Sequence, residues 1–184
     1  MARTPSAMVA LGLNAPGFTL PDTATGKHIS LDDVKGELAT VVMFICNHCP
    51  FVKHVNAELV KLANDYNNKG IGFVAISSND AENYPEDAPD KMKEVALQLQ
   101  YPFPYLYDET QQVAKSYQAA CTPDFFIYDK NMQLVYRGQL DDSRPGNEIP
   151  ETGKDIRHAL DCIINNQPVP ELQRASIGCN IKWK

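Results

Sequence analysis

The chain has 184 residues, of which 43% are hydrophobic and 22% charged, and its net charge is -6. That length and mix suit one soluble domain with a substantial core. The acidic balance argues against nucleic acid and anionic membranes as partners, because both need a basic face, and no apolar run approaches the ~20 residues of a spanning helix.

The first stretch, MARTPSAMVALGLNAPGF, holds Arg3 and a short apolar run from Ala7 to Leu13 that contains Gly12. That run is at the low end for a signal peptide, so a cytoplasmic protein is expected. FTLPDTATGKHISLDD then reads as a hairpin with a polar turn, inside a segment of about 11–36. ATVVMFI (39–45) is continuous, apolar and rich in β-branched residues, as in a strand buried on both faces. Val52, Val55, Leu59, Leu62 and Tyr66 follow at helical spacing, with Lys53, Glu58 and Lys61 off that face. NNKG ends this helix, with Gly70 as its C-terminal cap.

IGFVAIS (71–77) is a second buried strand, so the strand–helix–strand unit predicts a parallel pair. NDAENYPEDAPD (79–90) is a polar loop, and Met92, Val95, Ala96 and Leu99 mark another amphipathic helix. FPYLY (103–107) is a short strand that Pro104 confines to an edge. Asp108 and Gln111 resemble a capping box, opening a short helix through Val113, Ala114 and Tyr117. DFFIYD and QLVYRG form a hairpin joined by KN, with Asn131 suited to positive φ. Ile156, Leu160, Ile163 and Ile164 predict the buried face of a last helix. A tail of about 168–184 carries Pro168 and Pro170 and ends in SIGCNIKWK. Its hydrophobic content predicts that it packs back. The sum is an α/β chain, one domain over 1–184, with a central mixed sheet and helices on both faces.

FICNHCPFV (44–52) joins the first buried strand to its helix and holds Cys46, His48 and Cys49. Open α/β sheets place their sites at such carboxyl ends of strands. The spacing predicts Cys46 at or just before the helix N-terminus and Cys49 one turn in. Unpaired N–H groups and the helix dipole stabilise a thiolate there, by about 0.3–1 kcal/mol and up to ~2 when partly buried. Burial acts in the opposite direction, and His48 adds a cation or donor. The chain has five cysteines, the others being Cys121, Cys162 and Cys179. An odd, sparse set is no disulfide scaffold. Zinc would need two further ligands, usually a second close pair, and no metal is expected. Two inert core cysteines are the bland alternative. A redox dithiol is the reading adopted. No phosphate-cradling loop, G-x-S-x-G elbow or H-E-x-x-H pair occurs, and no cofactor is expected.

The pair after a buried strand, together with CTPDFF (121–126), resembles a thioredoxin fold. The segment LGLNAPGFTLPDTATGKHISLDDVKGE is similar to the leading hairpin of the redoxin branch, which contains the alkyl hydroperoxide reductase and thiol-specific antioxidant proteins. The resemblance runs on through YLYDETQQVAKSY, VYRGQLDDSRPGN and SIGCNIKWK, over nearly the whole chain. It is closest to the peroxiredoxin-like group that carries C-N-H-C. The resemblance implies a cis-proline at Pro123, with Thr122 before it, facing the Cys46–Cys49 helix. It also implies a thiol–disulfide oxidoreductase or a thiol peroxidase. The partners would be protein or small-molecule disulfides, or hydroperoxides, and a dithiol reductant. A non-catalytic metal- or protein-binding module is the third reading.

Two departures stand out. Peroxiredoxins place Pro and Thr seven and three residues before the peroxidatic cysteine, where this chain has Ala39 and Met43. Thioredoxins place an acid six residues before the pair, where Thr40 stands. Asp80 or Glu82 of the loop would have to replace that acid. Accessory candidates are Cys121, two residues before the proline, Cys179 as a resolving or relay thiol, and Arg137 as a partner for a sulfenate or peroxide. Their plainer readings are core filling, packing beside Trp183, and a surface ion pair. Cys162, His28, His54 and His158 are read as incidental or solvated.

Overall fold

Val41 and Met43 alternate with Val42 and Phe44 along a stretch that buries every side chain. An unbroken apolar run is what a strand covered on both faces requires. The computed structural model describes residues 3–184 and centres its main sheet on this run.

In chain order, β1 (Arg3–Pro5), β2 (Thr19–Pro21) and β3 (His28–Ser30) precede the central strand β4 (Ala39–Phe44). Helix α1 (Pro50–Tyr66), strand β5 (Ile71–Ser77), helix α2 (Pro89–Gln98) and strand β6 (Tyr105–Tyr107) follow. Then come α3 (Gln112–Tyr117), β7 (Cys121–Thr122), β8 (Asp124–Asp129), β9 (Leu134–Gly138), α4 (Lys154–Ile164) and β10 (Ile177–Asn180). The main sheet has the order β6-β5-β4-β8-β9. β4 pairs in parallel with β5 and antiparallel with β8, so the sheet is mixed, and β6 is its edge. β2 and β3 form the expected hairpin.

Alternation along β4 divides the interior into two cores. Val41 and Met43 join Val52, Val55, Leu59 and Leu62 of α1, Met92 of α2, and Ile156 and Leu160 of α4. Val42 and Phe44 face Ala114 and Tyr117 of α3 with Phe18, Leu20 and Leu31 of the leading hairpin region. Helices therefore cover both faces. None of the helices among the described residues is long and apolar enough to cross a membrane.

Four local expectations need correction. Asp108 does not cap α3 as a box; Gln111 precedes the helix with φ 62°, and Asp108 Oδ2 accepts from the deeper Ala114 N–H at 3.0 Å and from Ser78 at 2.8 Å. In the β8–β9 turn the positive φ of 59° falls on Met132, while the Asn131 N–H is tied to Asp129 Oδ1 at 2.9 Å. Ile163 and Ile164 are only partly buried, and Ala159 completes the buried face of α4 instead. The fourth concerns where α1 begins, and it changes the chemistry below.

The tail packs back as expected. β10 lies between β1 and β7 in a second sheet of order β1-β10-β7, with Cys179 opposite both Arg3 and Thr122. Gly178 makes this approach feasible: a Cβ there would stand 2.0 Å from the Thr122 carbonyl oxygen. Further on, the Lys182 N–H donates to Asn79 at 2.8 Å, and its carbonyl accepts from Asp80 N and Gln111 Nε2. Trp183 remains 42% exposed, with the Lys115 ammonium 5.7 Å from its ring centre.

Candidate active site

β4 ends at Phe44, and the Ile45 N–H adds one more bond to Ile76 before the chain turns. Pro50 is the first helical residue and Cys49 is the N-cap of α1. The expected placement, with Cys46 at the helix start and Cys49 one turn in, is therefore displaced. The physical reason is Pro50: its fixed φ and missing N–H favour the first helical position. Cys46 lies three residues before the N-cap, 1% exposed, and Cys49 is 0% exposed.

Thr122 holds both thiols. Its Oγ1 is 3.3 Å from Cys46 Sγ, and its carbonyl accepts from Cys49 Sγ at 3.2 Å. The Thr122–Pro123 peptide is cis, as the resemblance implied. Cys49 Sγ also lies 2.8 Å from Cys179 Sγ. Of the Cys46 and Cys49 thiols, the one whose pKa is lowered is Cys49. Its hydrogen bond with Cys46 is the largest cause; burial opposes it, and the Cys179 thiol and the N–H groups of Val52 and Cys179 add to it. Cys46 is pushed up by the same shared bond, then by burial and by the Asp87 carboxylate. Cys49 has backbone donors at a helix N-terminus, where a thiolate is favoured, and Cys46 has a carboxylate beside it.

Asp87 is the residue that sequence reasoning missed. It is fully buried and accepts from Asn47 N at 2.8 Å, His48 N at 3.1 Å and Asn79 Nδ2 at 2.8 Å. Its Oδ2 lies 2.5 Å from His48 Nδ1, and the His48 ring stacks on Tyr84 with centroids 5.3 Å apart. The Asp87 bond raises the His48 pKa despite burial. Burial pushes the Asp87 carboxyl up, but the bonds from His48 and Asn79 outweigh it and hold it below its ordinary value. Both shifts favour an imidazolium–carboxylate pair, and it lies beside Cys46. Ligand atoms of Cys46, His48 and Asp87 all lie within 4.8 Å of one another, so this trio could touch one ion. The direct 2.5 Å contact already satisfies His48 Nδ1 and Asp87 without one.

The remaining candidates separate clearly. Asp80, proposed as a substitute acid, is occupied by Asn83 and the Glu82 N–H, and Asp87 of the same loop reaches the site instead. Cys121 is buried, its thiol donates to Pro123 O at 3.6 Å, and burial pushes its pKa up. Arg137 donates to Val9 O at 2.5 Å and Gln173 Oε1 at 2.7 Å, so its guanidinium is committed to holding two loop segments against β9. Cys162 is half-buried on α4, with His158 Nε2 3.9 Å from its sulfur. His54 bonds Ser143 and Glu151.

A mixed sheet with helices on both faces, a strand-to-helix turn carrying two cysteines, and a cis-proline loop against them define a thioredoxin-like redoxin. Residues 11–137 match the AhpC/TSA family, and the chain belongs to it. A crystal structure described as an uncharacterized conserved protein from Geobacillus kaustophilus is 64% identical, with a TM-score of 0.98 over 100% of this chain and 97% of that one. A hypothetical protein from Sinorhizobium meliloti is 46% identical, with a TM-score of 0.96 over 98% of each chain. The thioredoxin domain of a thiol-disulfide oxidoreductase from Bacteroides vulgatus, 22% identical, shares the fold at a TM-score of 0.59 over 74% of this chain and 90% of that one. No curated protein matches the chain.

Proposed function

We propose that the protein is a thiol–disulfide oxidoreductase whose redox centre is the Cys46–Cys49 dithiol. The observation that supports it most is Thr122, which contacts both sulfurs from the residue before the cis-proline. Cys46 is the attacking thiol in this reading, since it stands on the turn ahead of the helix while Cys49 caps α1 and packs against Cys179. Cys49, with the lower pKa of the two, gives up its proton first, and its thiolate takes the Cys46 proton as Cys46 attacks a substrate disulfide. A mixed disulfide forms, and the first leaving thiolate takes the proton from Cys49. Cys49 then attacks Cys46 Sγ, releases the second substrate thiolate and leaves a Cys46–Cys49 disulfide. Pro123 and its loop hold an extended substrate by backbone contacts, and His48 tunes the charge of the pair. A dithiol reductant regenerates the centre, with no bound cofactor. The reading takes 1–184 as one redoxin domain, working in the cytoplasm, where thiols stay reduced unless they turn over.

A second reading, thiol peroxidase, draws on the Thr122 hydroxyl 3.3 Å from Cys46 Sγ, a hydroxyl beside the attacking sulfur of the kind that Met43 does not supply. In that chemistry Cys46 attacks the peroxide, becomes a sulfenic acid and condenses with Cys49 or a distant thiol. A metal- or protein-binding module using the same residues is the third. Turnover of a protein disulfide against turnover of hydrogen peroxide, with dithiothreitol as reductant, separates the first two. We expect disulfide reduction to dominate and to vanish in Cys46→Ser. Faster peroxide turnover, or disulfide reduction that survives Cys46→Ser, overturns the first reading. Stoichiometric metal in protein purified without chelator would favour the third.

A further inference from the structure

Cys49 touches a thiol that the two-cysteine mechanism does not use. β10 brings Cys179 opposite Thr122 in register, and Gly178 allows the strand to close on the Thr122 carbonyl. Both sulfurs are buried, and they lie 2.8 Å apart. A disulfide is about 2.05 Å long, so closing this contact into a bond takes less than ~1 Å of movement. Cys49 also titrates together with the Cys46 thiol, and Thr122 contacts both sulfurs. It therefore has a thiol partner on either side, one from the strand-to-helix turn and one from the tail.

We infer that Cys49 is an exchange point between two disulfides, Cys46–Cys49 and Cys49–Cys179, which makes Cys179 a third redox thiol. The inference rests on the reading of Cys46 and Cys49 as a redox pair. In the exchange step, Cys179 sulfur attacks Cys49 Sγ of the Cys46–Cys49 bond. The Cys49–Cys179 bond forms, the Cys46–Cys49 bond breaks, and its electron pair leaves on Cys46. The proton lost by Cys179 goes to Cys46. One disulfide is present before and after, so no outside oxidant or reductant enters. Burial and the bond to Cys49 push the Cys179 thiol up to about 12, which keeps it protonated until the step occurs. The product holds its oxidising equivalent in the interior while Cys46 is again a thiol. Cys46 can then form a mixed disulfide with another disulfide substrate before the protein has been reduced.

The test uses the full-length wild-type protein. The reduced form is treated with one equivalent of glutathione disulfide, quenched in acid at successive times, alkylated and digested, and its cysteine pairs are mapped by mass spectrometry. The expected result is a species with Cys49 linked to Cys179 and Cys46 alkylated, arising with or after the Cys46–Cys49 species. Cys179→Ser should lose that species completely and keep the Cys46–Cys49 bond. A Cys46–Cys49 bond alone at every time, with Cys179 alkylated throughout, overturns this inference and leaves the dithiol reading standing. Absence of any disulfide at Cys46 and Cys49 overturns both.

Discussion

At the scale of single residues, the site turns on which groups carry charge. The raised His48 pKa means that its imidazolium stabilises the fold fully below its unfolded value near 6.5, and this contribution is lost as pH climbs through the raised folded value. The lowered Asp87 pKa means that its carboxylate contributes above about 3.8, and that this is lost as pH falls through the lowered folded value. Asp87→Asn should cost about 1–3 kcal/mol, the range for leaving buried partners poorly satisfied. Urea unfolding of both proteins should show the largest gap between about pH 4 and 6.5, narrowing above it. A gap that does not change with pH would mean that the pair is not ionised. His48→Ala removes the cation beside the thiols and leaves Asp87 uncompensated, so the reduced form loses stabilisation. The disulfide should become less oxidising by ~10–40 mV, the equivalent of roughly 0.5–2 kcal/mol. A glutathione redox titration that finds the potential unchanged or higher would contradict this.

The same residues show how far sequence reasoning reached. Cys46, His48 and Cys49 stand out because three chemistry-bearing side chains follow a buried strand. Asp87 gives no such signal, because it returns to the site from a loop 39 residues beyond His48. The lowered pKa of Cys49 had a signal in Pro50, which moves the N-cap of the helix from Cys46, where the cysteine spacing alone puts it, to Cys49.

Among the elements, β4, β5 and α1 were readable because their burial is written into local apolar runs. β7 and β10 were not, since two and four residues of mixed polarity become strands only by pairing with each other. That the tail would dock was readable from its hydrophobic content, but its register was not. Gly178 sets that register through its contact with Thr122. Gly178→Ala puts a methyl group against backbone that cannot yield, so it should cost about 1–3 kcal/mol, as overpacking does. Thermal unfolding measures the loss, and Cys179 alkylation in the folded protein should speed up in parallel. An unchanged melting temperature would show that β10 is held from elsewhere.

Across the whole molecule, the first residues, the start of β8 and the tail are joined by one polar knot. Ser6 Oγ donates to Asp124 Oδ1 at 2.6 Å and accepts from Ser176 N at 3.1 Å, while Ser176 Oγ donates to Pro123 O at 2.6 Å. Asp124 is buried at the knot's centre, and burial pushes its carboxyl up to about 6. Asp124→Ala leaves the Ser6 hydroxyl and the Ala120 N–H without this acceptor, at a cost of about 1–3 kcal/mol each. The expected outcome is a lower melting temperature and faster hydrogen exchange in both β1 and β10. Faster exchange in one strand alone would show that the two are fastened separately. Nothing in the sequence announces this knot, because its members, Ser6, Pro123, Asp124 and Ser176, lie far apart along the chain and meet only after the sheet has formed.

The docked tail also has an optical consequence. Trp183 is the chain's sole tryptophan, and it sits just past β10, half in solvent, with the Lys115 ammonium near its ring. Tryptophan emission from this protein therefore samples the strap that carries Cys179, while far-ultraviolet circular dichroism samples the sheets and helices as a whole. If the strap lifts before the remainder unfolds, the two signals part company, as they must when a transition is not all-or-none. The protein thus contains its own gauge of whether the third thiol is seated, and the gauge needs no label.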